Sequence, residues 1–211
     1  MKEAQTNSVR NLEHLYTTVV AIALSLAIYN IIAATRETPF KWELVLFFIA
    51  LLVTLIPFYH GALRHLDITY VEEGGKPVRK PTLLFDFLAL FTESCLLVAM
   101  AALLPRPHYF VWVLAVLLAF DAVWGFTAYL GFSKERKPKP ELTWAQINFV
   151  SAILISIFLL IVLGFVPFIE IGYFSNLKLS VWIFGLSLLR TVVDYKLCWD
   201  TYYPSAKHQR S

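Results

Sequence analysis

A chain of 211 residues that is 58% hydrophobic and only 16% charged lacks the polar surface of a water-soluble domain, in which about 25% of residues are charged. Its net charge is only +3, and its basic residues sit in short stretches with no recognisable nucleic-acid module. The two cysteines, Cys95 and Cys198, fall on different apolar runs without a CxxC, which argues against a disulfide framework and a zinc site.

Six apolar runs follow one another, each near the roughly 20 residues that cross a bilayer. They cover about 13–34, 42–66, 82–104, 108–132, 143–167 and 178–200. The predicted fold is therefore an all-α bundle of six membrane helices without a sizeable soluble domain. The first run follows a polar N-terminal stretch. It ends at Tyr29-Asn30-Ile31-Ile32 without a small-x-small cleavage site, and is read as a retained span. Pro39, Pro81, Pro105, Pro107, Pro138, Pro140, Pro167 and Pro204 mark the joints, since proline lacks the N–H that continues a helix.

Pro57 differs: it lies inside the second span, where it should kink the helix and free the carbonyl one turn earlier. The same span ends in a polar stretch from Tyr59 to Tyr70. There His60, Arg64 and Asp67 stand at i, i+4 and i+7, on one helix face. The third span carries Asp86 near its start and Glu93 seven residues on. The fourth carries Asp121 near its middle, and the sixth an Arg190/Asp194 pair at i, i+4 followed by Asp200. No GxxxG occurs; Ala23 with Ala27, the Ala99–Ala102 stretch and Gly125 with Gly131 are the candidates for close helix contact.

Lysine and arginine are concentrated at the N-terminus, in the loops 67–81 and 133–142, and at the C-terminus. The opposite side has only Arg36, Lys41, Arg106 and Lys178. This bias predicts an inner or plasma membrane protein with both termini in the cytoplasm. Trp42, Trp112 and Trp182 open the even-numbered spans at the outer interface, 70 residues apart, as three helical hairpins of equal length would place them.

Ionisable groups inside a span are costly and face the bundle interior or water. The deep acids are Asp86, Glu93, Asp121 and Asp194; the fixed cations are Arg64 and Arg190. The two remaining acids must be protonated, paired with His60, or balanced by a bound cation. The expectation is a cytoplasm-facing polar cavity in which Glu93, Asp121, His60 and Asp86 bind a proton or cation. Arg64, Arg190 and Asp194 would supply counter-charge, and Tyr59, His65, Asp67, Asp200 and Tyr202 would line the vestibule.

Plainer roles stand beside these. Arg190 and Asp194 neutralise each other within their helix, Asp86 complements a helix N-terminus, or Arg64, His65 and Asp67 lie among headgroups. His60 and His65, at i, i+5, are on different faces and make poor metal ligands; Ser94 and Cys95 have no activating base; the histidines do not pair as haem ligands. No cofactor is assigned. The leading function is a small ion or proton channel or transporter. The alternatives are an effector or partner subunit that oligomerises, or is controlled through the basic loops Lys76–Pro81 and Lys134–Pro140, and an intramembrane enzyme acting on lipid. The bilayer itself is the expected partner, and no nucleic acid is.

Overall fold

The computed structural model describes residues 2–37, 41–72, 80–132, 140–162 and 175–204. They form six helices: α1 (Lys2–Glu37), α2 (Trp42–Leu66), α3 (Lys80–Ala102), α4 (Pro107–Phe132), α5 (Pro140–Val162) and α6 (Asn176–Tyr202). A π-helical turn over Asp67–Glu72 follows α2 directly. All six helices are long and apolar enough to cross a membrane.

Helix boundaries follow the prolines closely, but α1 begins eleven residues before the apolar run. Its early residues Val9, Leu12 and Tyr16 are buried, and the stripe continues through Val20, Ala23 and Ala27. A three- and four-residue spacing puts them on one face, so the polar N-terminal stretch packs as an amphipathic extension of the span. Once the helix is nucleated by the apolar run, each added residue gains a backbone bond at small further cost.

Around the bundle the helices neighbour one another in the order α1, α3, α4, α5, α6, α2, closing on α1. The most extensive pairings are α4 with α5, α2 with α6 and α1 with α3. A threefold hairpin repeat would carry the α1–α3 contact into α3–α5 and α5–α1, and neither pair is closely packed. Trp42, Trp112 and Trp182 are exposed near the helix starts. Their even spacing thus coincides with equal hairpin lengths and not with a repeated packing.

The interior divides into two halves. Phe47, Leu51, Leu97, Met100, Leu104, Phe110, Leu114 and Leu117 fill one half and are almost wholly buried, with the Phe47 and Phe110 rings 5.0 Å apart. The other half is polar. Beyond the N-terminal extension of α1 the outward faces are mostly apolar: Val123, Phe126, Phe149, Ile157, Leu189 and Leu197 are all exposed. An apolar outer face around a partly polar core reverses the usual arrangement for water and suits lipid.

Two local devices hold helices together. The carbonyl of Val53, which Pro57 leaves without its usual donor, accepts a 2.6 Å hydrogen bond from Thr191 Oγ1 of α6. At Gly125 a Cβ would lie 3.0 Å from the Glu141 carbonyl oxygen and 3.4 Å from Ala145 Cβ, so this glycine permits the close α4–α5 approach. Gly131 meets nothing within 4 Å and has no such role.

Candidate functional site

Side-chain hydrogen bonds join the C-terminal ends of α2 and α4 to the N-terminal ends of α3 and α5, and the C-terminal end of α2 to that of α6. Alternate helices therefore run in opposite directions, and the polar half occupies the end where these five termini meet.

His65 sits nearest that end and is fully buried. Its Nε2 lies 3.0 Å from Asp86 Oδ2 and its Nδ1 3.3 Å from Glu141 Oε1. Each of these nitrogen–oxygen contacts holds a proton, so the ring bridges two carboxyl groups brought by α3 and α5. Asp86 also accepts from Tyr70 Oη at 2.5 Å and from Trp124 Nε1 at 3.1 Å. The π-helical turn is what carries Tyr70 back over Asp86; an open loop there would not fix it.

Deeper, Glu93, Asp121, Asn148 and Arg190 converge from four different helices, all of them buried. At 1.5 Å per residue they lie roughly 12 to 20 Å from the polar ends of their helices, about halfway through a 30 Å hydrocarbon core. Arg190 Nε donates to Asn148 Oδ1 at 2.6 Å, and Asn148 Nδ2 donates to Asp121 Oδ2. Glu93 and Asp121, both buried, come together in the wall of one small cavity. Two carboxyl groups crowded together away from water disfavour double ionisation, which favours one proton held on the pair. The Arg190 guanidinium carbon stands 4.8 Å from the Phe58 ring centroid, a cation–π contact that supports the charge from its apolar side.

Between the two clusters, Asp194 accepts from Tyr202 Oη at 2.9 Å, and the Tyr202 ring stacks on Trp144. A cavity of about 20 Å³ lies among Glu93, Asp121, Trp124, Trp144, Arg190 and Asp194. At that volume it has room for about one water molecule.

The expected proton- or cation-binding residues separate. Glu93 and Asp121 come together, while Asp86 belongs to the His65 cluster. His60 joins neither: it bonds Tyr195 Oη at 2.7 Å and stacks on Tyr202. Among the counter-charges, Arg64 Nε is bound to the Thr201 carbonyl at 2.7 Å. Arg190 and Asp194 bond Asn148 and Tyr202 in preference to each other, and no ion pair within 4.0 Å joins them. Of the vestibule residues, His65 is at the centre of the packed end cluster. Tyr202 is buried, Tyr59 bonds Thr17 Oγ1 at 3.1 Å, Asp67 is half-buried in the π-helical turn and Asp200 is exposed.

Glu141, Asn148, Tyr70, Trp124 and Trp144 complete the site without having stood out in the sequence. On α5 the stripe Glu141, Ala145, Asn148, Ala152, at spacings of four, three and four, was the available signal: small and polar residues on one face of an otherwise aliphatic helix. Among the described residues no group of three His, Cys, Asp or Glu side chains is placed to hold a metal ion. The basic stretches 76–79 and 134–139 lie outside the described residues.

No protein family, curated protein or solved structure gives a match to this chain.

Proposed function

We propose that this chain is a multi-pass membrane protein that carries protons, as a small channel or proton-coupled transporter, in a conformation closed to its outer side. The observation that carries this reading is the Glu93–Asp121 carboxyl pair. It lies at mid-depth, at the inner limit of a polar column reaching back to His65, Asp86 and Glu141 at the helix ends. A buried carboxyl pair that favours holding one proton, with Arg190 and Asn148 fixed beside it, is a site for loading and releasing protons. A structural hydrogen bond at that depth would be served by neutral groups at far lower desolvation cost.

The Lys/Arg bias supports a cytoplasmic placement for the polar end and both termini. The apolar half, from Leu97 to Phe110 and Phe47, forms the barrier that has to part for passage.

The test is proton flux in liposomes containing the full chain, compared with Glu93→Gln and Asp121→Asn. Flux in the wild type and at least a tenfold loss in folded variants is the expected result, on the order of what one positioned proton-transfer group contributes. Equal flux in all three proteins would remove the pair from the pathway. No flux in any of them, across pH and voltage, would reject proton carriage by the isolated chain.

A further inference from the structure

The cavity of about 20 Å³ has a particular set of walls. Four of its lining residues each bring a buried polar atom with no partner in the protein: Glu93 Oε1, Asp194 Oδ1, Arg190 Nη1 and Trp144 Nε1. All four side chains are more than nine-tenths buried. Left unsatisfied, each would forfeit its hydration with no hydrogen bond in return.

The set is balanced: two acceptors and two donors. A bound metal cation would suit the carboxyl oxygens but meet the Arg190 and Trp144 N–H groups with the wrong sign. An anion would suit the two N–H groups and be repelled by the acids. A water molecule accepts two hydrogen bonds and donates two, and a volume of about 10–15 Å³ is enough to hold one.

We propose that this cavity binds a single water molecule that relays protons between Asp194 and the Glu93–Asp121 pair. The proposal rests on the proton-carrying reading above and adds the route by which the pair is loaded. In the relay, protonated Asp194 passes its proton to the water as the water passes another to the pair. The water ends neutral, Asp194 ends ionised, and one proton has moved inward. Asp194 is recharged by way of Tyr202, whose hydroxyl passes its proton to the carboxylate and takes a replacement from water at the end of α6, which that residue closes. The route thus runs along α6, beside the His65 cluster.

The experiment is infrared spectroscopy of the full chain in lipid, following the protonated-carboxyl band that Glu93→Gln removes and the rate at which it shifts in D₂O. In Asp194→Asn the side chain still accepts from Tyr202 but carries no acidic proton. The band is expected to persist and its exchange to slow on the order of a hundredfold. Trp144→Phe, which withdraws one donor from the water, should slow exchange severalfold with the acids intact, and keeps the test open if the first variant does not fold. Unchanged or faster exchange in a folded variant overturns the relay. A wild-type spectrum with no band that depends on Glu93 sinks the carboxyl pair itself, which separates that failure from this one.

Discussion

The Thr191–Val53 bond offers a sharp check on how the bundle is held. Pro57 removes the N–H that would close on the Val53 carbonyl, and the Thr191 hydroxyl of α6 supplies the missing donor at 2.6 Å. Thr191→Val keeps the shape and deletes the donor. An unsatisfied buried carbonyl costs about 1–3 kcal/mol, while interhelical hydrogen bonds in membrane bundles average about 0.6 and reach about 1.7 kcal/mol. Because the Val53 carbonyl has lost its usual helical donor, the upper part of that range applies, and the expected loss is about 1.5 kcal/mol. Pro57→Ala restores the backbone donor and makes the hydroxyl redundant, so in that background Thr191→Val should cost less than about 0.5 kcal/mol, a coupling of about 1 kcal/mol. Reversible unfolding in bicelles, or steric trapping, of the four proteins measures the cycle. Equal costs in both backgrounds would refute the argument, since Thr191 would then be stabilising α2–α6 by some other means than capping the proline gap.

Three further substitutions test the polar end and the helix packing by the same stability assay. His65→Leu leaves Asp86 and Glu141 buried without the group between them and should cost about 3–5 kcal/mol; neutralising both acids as well, with Asp86→Asn and Glu141→Gln, should recover most of it. Trp124→Phe removes one of the donors to Asp86 and is expected to cost about 1–3 kcal/mol with little change in shape. Gly125→Ala forces a Cβ against the Glu141 carbonyl and should destabilise by about 1–3 kcal/mol, whereas Gly131→Ala, facing open space, should stay within about 0.5 kcal/mol.

Much of the helix layout is legible in the residue order, because apolar runs of bilayer length and the prolines between them are local signals. Glu93 and Asp121 also stand out, since an acid in the middle of such a run is too costly to be incidental. What sequence does not carry is the order of the helices around the bundle. Asp86 meets His65, Tyr70 and Trp124 because α2, α3 and α4 converge there, and no spacing along the chain predicts that. His60 and His65 illustrate the point: five residues apart, they occupy different faces, and only the packing decides that His65 turns inward. Glu141 reads as an ordinary acid in the first turn of a helix, where it complements the dipole, and Asn148 is neutral, so neither attracts notice beside the charges. Of the four acids counted in the sequence, Glu93 and Asp121 lie side by side at mid-depth and Asp86 faces His65.

The bonds between α2 and α6 have a mechanical consequence. Thr191 to the Val53 carbonyl, Tyr195 to His60 and the Thr201 carbonyl to Arg64 are spaced along the full lower length of the two helices like rungs. Parallel rods cross-braced in this way can neither slide nor twist past one another without shearing every rung, so α2 and α6 behave as a single strut. The neighbouring seam between α5 and α6 is built differently. A groove of about 320 Å³ runs along it, walled by aliphatic side chains of both helices, and the Arg190–Asn148 bond reaches across beneath. That bond is a latch across a loosely filled joint. A rearrangement that parts this seam while sparing the strut has to break the latch, and Arg190, which holds it, also stands in the wall of the cavity beside the carboxyl pair.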